Sequence, residues 1–248
     1  MKLMYRDNGF KDGDYKKDLD LEIKILGKLN ECQNSIKYYG YYEIKEKIII
    51  ILEKCDQDLR QYMEKTIKRA LTVDEIKKII IGLNEVFKKM QKEHIIHRDL
   101  KLENFLIKFT DDKEGNIIAK LSDYGISKFT NNESSSFTQG KGTLETIAPE
   151  IILEKVKFSE DKSLIDMFSL GVILYQLSHY FKHPFQFGFG DIRIIYANYY
   201  DEDNLDIEFD NSIKNEDFKD LLKEMLRLNP KNRLTWDKYF KHKFFLNK

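Results

Sequence analysis

The sequence predicts an α+β protein in two lobes, a small mixed lobe followed by a larger helical one. Two observations carry this. Strand-like and helix-like patterns mix only in the earlier part of the chain, and from Pro149 onward every pattern is helical. That order fits a small sheet-bearing unit joined to an α body.

Each element can be justified in turn. Residues 7–18 are polar and read as a loop. Leu19 to Leu29 follows as a helix. Ile36 to Ile44 and Lys47 to Lys54, rich in Ile and Tyr, read as two strands around a turn at Lys45-Glu46. Thr72 to Lys92 is the clearest helix. Thr72 with Glu75 three residues on makes a capping box, and Ile76, Ile79, Ile80, Leu83, Val86, Phe87 and Met90 fall on one helical face. Short strand-like pieces occur within 95–107 and 117–121. The polar stretch 130–142 reads as a second loop. Ser163 to Ser178 is apolar nearly all round, which predicts a buried helix. Phe218 to Leu228 is amphipathic.

Composition narrows the class. The chain has 248 residues, 42% hydrophobic and 34% charged, as a folded domain requires. Lys+Arg and Asp+Glu both number 42, so no global basic field exists to hold nucleic acid or an anionic membrane. The longest apolar runs, such as Ile48 to Leu52, fall far short of the roughly 20 residues that span a bilayer. No apolar stretch of signal-peptide length opens the chain. Cys32 and Cys55 read as free thiols in a reducing compartment rather than a disulfide. The expected location is cytoplasmic or nuclear.

Four strings carry chemistry: HRDLKLEN at 97–104, KLSDYGISK at 120–128, GTLETIAPE at 142–150 and NPKNRL at 229–234. Any one alone would mean little, but all occur in order, with Asp166 in a helix otherwise almost wholly apolar. On these residues the chain resembles the eukaryotic protein kinase family over almost all its length. Lys101 in the first string is similar to the Ser/Thr type.

The resemblance implies transfer of the ATP γ-phosphoryl group to a protein Ser or Thr, with ATP and Mg²⁺ as nucleotide and metal. Asp99 would accept or orient the substrate hydroxyl proton, Lys101 would steady the phosphoryl charge, and Asn104 and Asp123 would hold Mg²⁺ through hard oxygen donors. Tyr124 replaces a Phe, so its hydroxyl needs a partner if buried. Thr143 matches the threonine that bonds the catalytic loop, while Thr146 stands where Tyr is usual. Glu150 would pair with Arg233, and Asp166 would accept bonds from the catalytic-loop backbone.

Working backward, IIIILEKCDQDL at 48–59 resembles the last small-lobe strand and hinge. Leu52 would guard the back pocket, backbone groups of Glu53 and Cys55 would bond the adenine edge, Asp58 would reach the ribose, and Leu106 joins the nucleotide-binding set. LEIKILGKL at 21–29 resembles the regulatory helix, with Glu22 facing the cleft and Leu26 stacking toward Tyr124. Lys2 is the candidate partner of Glu22; the alternative is a charged residue at a frayed terminus.

No G-x-G-x-x-G precedes Lys2, and Gly9 and Gly13 lie on its wrong side. The expectation is therefore a kinase-like fold with the first two small-lobe strands missing, residues 1–54 forming a partial small lobe and 55–248 the hinge and complete helical lobe. Reduced turnover is expected, and a pseudokinase-like binding module is the alternative. Ser134, Ser135, Ser136 and Thr138 are candidate phosphorylation sites beside Arg98, or an unmodified polar loop. The protein substrate and oligomeric state are not legible.

Overall fold

The structure is a computed structural model that describes residues 2–5, 12–44, 47–110, 116–130, 143–155, 161–185, 191–203 and 206–246. Strand β1 (Lys2–Tyr5) pairs antiparallel with β3 (Lys47–Leu52), which pairs in turn with β2 (Tyr38–Ile44). The order in this small sheet is β1-β3-β2. A bulge breaks the β2–β3 register between Tyr38 and Gly40, where Gly40 takes φ 138°, open only to glycine at little cost.

Helix α1 (Asp12–Leu29) buries Leu19, Ile25, Leu26 and Leu29, one face at three- and four-residue spacing. It corrects one expectation. Residues 12–18 belong to this helix rather than to a loop. Their polarity misled because a helix needs only one apolar face. Residues 6–11, the Lys45-Glu46 turn and the candidate phosphorylation loop lie outside the described residues.

Beyond the small sheet come β4 (Gln57–Asp58), α2 (Leu59–Gln61), a π-helical turn (Tyr62–Ile67) and α3 (Val73–Lys92). Both halves of the expected capping box form on α3: Thr72 Oγ1 accepts from the Glu75 amide, and the Glu75 carboxylate accepts from the Thr72 amide. All seven apolar residues of its predicted face are buried.

A second sheet, ordered β4-β6-β7, uses β6 (Phe105–Phe109) and β7 (Ile117–Leu121). Strands β5 (Ile95–Ile96) and β8 (Lys128–Phe129) form a two-stranded pair. The helical part follows as α4 (Pro149–Ile152), α5 (Leu164–Ser178), α6 (Ile192–Tyr199), α7 (Glu216–Met225), α8 (Trp236–Tyr239) and α9 (Lys243–Leu246). Every residue of α5 is buried, as its all-round apolarity predicted. Gly171 lets α7 approach: an added Cβ would lie 3.0 Å from both Leu226 Cδ2 and Met225 Cβ. Among the described residues no helix is long and apolar enough to cross a membrane.

Candidate active site

Asp166, fully buried in the first turn of α5, fixes the loop that follows β5. Its two carboxylate oxygens accept from the backbone amides of His97 (2.7 Å) and Arg98 (2.8 Å). Burial pushes the Asp166 pKa up, opposed by His97, by both amides and by Arg98. These two bonds hold Arg98 at φ 71°, a left-handed conformation that costs a non-glycine residue about 1–3 kcal/mol. The His97 ring completes the anchor. Its Nε2 lies 3.0 Å from the Ser122 carbonyl, and its Nδ1 lies 3.4 Å from the Asp99 amide, contacts satisfied together when Nε2 carries the hydrogen.

The loop so held presents Asp99, whose carboxylate is contacted from three sides. Thr143 Oγ1 donates to Oδ1 at 2.9 Å. Lys101 Nζ donates to Oδ2 at 2.7 Å. Asn104 Nδ2 donates to the Asp99 carbonyl at 2.7 Å and reaches Oδ2 at 3.3 Å. The 3-10 turn Leu102–Asn104 keeps 99, 101 and 104 on one loop.

The Ser122 amide and hydroxyl both donate to the Asn104 carbonyl at 2.9 Å, so Asp123 emerges one residue from Asn104's own backbone. Asp123 sits at φ 61° with its side chain exposed. Asn104's amide nitrogen is committed to Asp99, which leaves its oxygen as an acceptor. An amide oxygen and a carboxylate are the hard donor types that Mg²⁺ takes.

Tyr124 is buried. Its hydroxyl lies 3.0 Å from Ser35 Oγ, the partner its burial demanded, and burial drives its pKa far up. Its ring lies 5.3 Å from the His97 ring. Glu150 and Arg233 form a fully buried pair at 2.8 and 2.9 Å. Thr146, at the position where Tyr is usual, is buried, and its carbonyl accepts from Ser169 Oγ of α5 at 2.7 Å.

The hinge residues carry bonds to the fold as well. The Glu53 amide is committed to the Lys37 carbonyl at 2.8 Å, which removes that group from any adenine contact and leaves the carbonyl. The Glu53 side chain instead pairs with Lys108 (2.7 Å) and Lys120 (3.0 Å). Burial opposes its ionisation, yet the two lysines hold its pKa below the usual value. Asp58 Oδ1 caps α2 by accepting from the Gln61 amide at 2.8 Å, so that oxygen serves the fold. Leu106 stands opposite Asp58 in the β4–β6 register. Burial raises the Cys55 thiol pKa, which agrees with a hinge side chain lacking its own chemistry. Glu22 is buried on α1. The Lys2 backbone pairs with Ile50 of β3, and its side chain lies outside the described residues.

Sequence reasoning missed the ion pairs that span segments. On α1, Lys28 bonds Glu93 just past the end of α3, and Lys24 and Lys28 lie over the Phe129 ring at 5.3 and 6.0 Å. On α2, Arg60 bonds Glu103 and lies 3.5 Å from Glu145. No local pattern marks such pairs.

Comparison with known proteins gives a consistent picture. The sequence profile described as "Protein kinase domain" matches residues 1–245. The chain is 31% identical over 229 residues to "Serine/threonine-protein kinase ATG1a" of Arabidopsis thaliana, covering 90% of this chain and 34% of that protein. It is 33% identical over 170 residues to "Serine/threonine-protein kinase KIC1" of Saccharomyces cerevisiae, covering 67% and 14%. It is 27% identical over 231 residues to human "Serine/threonine-protein kinase ULK1", covering 91% and 21%. The chain thus spans about a third or less of the length of these curated relatives.

Proposed function

Because the chain belongs to the protein kinase domain family, we propose that it transfers the γ-phosphoryl group of ATP to a serine or threonine hydroxyl of a protein substrate. The observation that carries this reading is the Asp99 carboxylate, oriented by Thr143, Lys101 and Asn104 on a loop locked by Asp166.

Asp99 takes or orients the proton of the incoming hydroxyl. Lys101, 2.7 Å from Asp99, places a cation beside the same point and steadies negative charge on the transferring group. Asn104 and Asp123 would hold Mg²⁺, which when bound neutralises phosphate charge. The cleft face of the hinge, with the Glu53 carbonyl, Cys55, Asp58 and Leu106, receives the nucleotide, and Lys2 and Glu22 form the clamp above it. In this reading residues 1–54 form the small lobe and 55–248 the hinge and helical lobe.

The test is phosphate transfer from labelled ATP to serine and threonine peptides. Asp99→Ala is expected to lower kcat by about 10²–10⁴ while nucleotide binding persists. An unchanged kcat would remove Asp99 from the mechanism.

A further inference from the structure

A groove of about 700 Å³ opens beside the Asp99 loop, lined by Leu144, Glu145, Phe181, His183, Asp191 and Ile192 among others. Its position matters. Thr143, which bonds Asp99, directly precedes Leu144 and Glu145. Glu103, which directly precedes Asn104, bonds Arg60, whose guanidinium lies over the groove residue Phe181. Through Thr143 the groove is therefore tied to the same short segment that holds Asp99.

Two carboxylates and one guanidinium line the groove: Glu145, Asp191 and Arg193. Among the described residues, each of the two carboxylates that line it, Glu145 and Asp191, is exposed to solvent and has an arginine beside it. Arg60 lies 3.5 Å from Glu145 and also bonds Glu103. Arg193 Nε bonds Asp191 at 2.9 Å. The guanidinium of Arg60 is held over the Phe181 ring, 5.0 Å from its centroid, and its helix is capped by Asp58. It is therefore placed by packing as well as by charge. His183 adds no cation at neutral pH, since burial brings its pKa down to about 4. The walls that remain are the amide side chain of Gln176 and three apolar groups: Leu144, well exposed toward solvent, Phe181 and Ile192.

Resting on the kinase reading above, we infer that Arg60 sets the substrate class by covering Glu103 and Glu145, so that the groove seats a large apolar side chain next to the accepting hydroxyl and does not select a basic one. A substrate arginine would have to displace Arg60 from two carboxylates to gain the same bonds. A leucine or phenylalanine displaces only water from Leu144, Phe181 and Ile192.

The experiment uses the full chain, Mg-ATP and matched serine peptides with Leu, Arg or Glu at each flanking position in turn. The readout is the ratio of kcat/KM for the Arg peptide to that for the Leu peptide. At the position facing the groove this chain should favour Leu by on the order of tenfold. Arg60→Met keeps the stem on Phe181 and removes the charge. It should raise the Arg-to-Leu ratio about fivefold, and adding Glu103→Gln and Glu145→Gln should remove that gain. Arg60→Lys should leave the ratio near its starting value. Should Arg60→Met fail to fold by thermal melt, Glu145→Lys supplies the second probe: it must lower the Arg-to-Leu ratio further and raise the Glu-to-Leu ratio. A starting preference for Arg, or a ratio unmoved by these variants while transfer continues, overturns the inference alone. No transfer to any peptide overturns the kinase reading and the inference together.

Discussion

Replacing Arg233 with Met tests how the segment after Thr143 is held. In the structure Arg233 makes five bonds from a fully buried position. Nη1 and Nη2 take both Glu150 oxygens at 2.8 and 2.9 Å, and the remaining three go to the carbonyls of Leu164 (2.8 Å), Leu228 (3.0 Å) and Arg227 (2.8 Å). Met fills much of the same volume over the Phe168 ring, where the guanidinium sits 4.9 Å from the centroid. What it cannot do is compensate Glu150, which stays buried without its cation. Breaking such a pair from one side costs about 3–5 kcal/mol. For a domain of this size that corresponds to a melting temperature lower by about 6–20 °C. Glu150→Gln should cost less, about 1.5–3 kcal/mol, because Arg233 keeps its three carbonyl acceptors. Equilibrium urea unfolding followed by circular dichroism measures both. The reasoning is refuted if Arg233→Met costs under 1 kcal/mol, or less than Glu150→Gln. The double variant Glu150→Met with Arg233→Met should recover part of the loss, since replacing both members with apolar groups removes the uncompensated charge.

Two further outcomes follow from buried or capped groups. Tyr124→Phe strands the Ser35 hydroxyl and should cost about 1 kcal/mol in urea unfolding, whereas Tyr124→Phe with Ser35→Ala should return most of it; equal losses would show the contact is incidental. Glu75 has its pKa lowered to about 2, chiefly by the Arg69 guanidinium against the cost of partial burial. A depressed carboxylate stabilises the fold above its ordinary value of 4.5 and loses that contribution as pH falls through 4.5 toward 2. Because Glu75 and Arg69 are substantially solvent-screened, the contribution is about 1 kcal/mol. Glu75→Gln should flatten that acid limb and leave an unfolding curve less dependent on pH there; an unchanged slope would count against the Glu75 carboxylate as its source.

The parts of the fold that were legible in the sequence are those that local chemistry encodes. The box at Thr72 and Glu75 needs three residues of separation, and the face from Ile76 to Met90 needs only helical periodicity. Asp166 was legible for a different reason: a carboxylate in an apolar helix must find donors, and the backbone amides of the loop at 97–98 supply them. The unread parts depend on how distant segments cross. Arg60 meets Glu103 and Glu145 only because α2, the Asp99 loop and the segment after Thr143 converge. Glu53 turned toward Lys108 and Lys120 because β6 and β7 run beneath the hinge, a fact absent from the string at 48–59. Asp58 was read as a nucleotide contact, yet its place before Leu59 also made it an N-cap, a role Asp takes readily.

The strain in the site has a consequence for how Asp99 is held. Arg98 and Asp123 both take left-handed backbone conformations, at φ 71° and 61°, although neither is glycine. Each would relax if its loop were free. Neither loop is free, because Asp166 fixes both amides at 97 and 98, and Ser122 ties the residue before Asp123 to Asn104 by two bonds. The His97 ring then joins the two loops through the Ser122 carbonyl. Asp99 and Asp123 are thus set by one connected network and not by two independent turns. Loosening Asp166 would free both loops at once, which is how a residue that bonds only backbone amides of one loop can govern the distance between the Asp99 and Asp123 carboxylates.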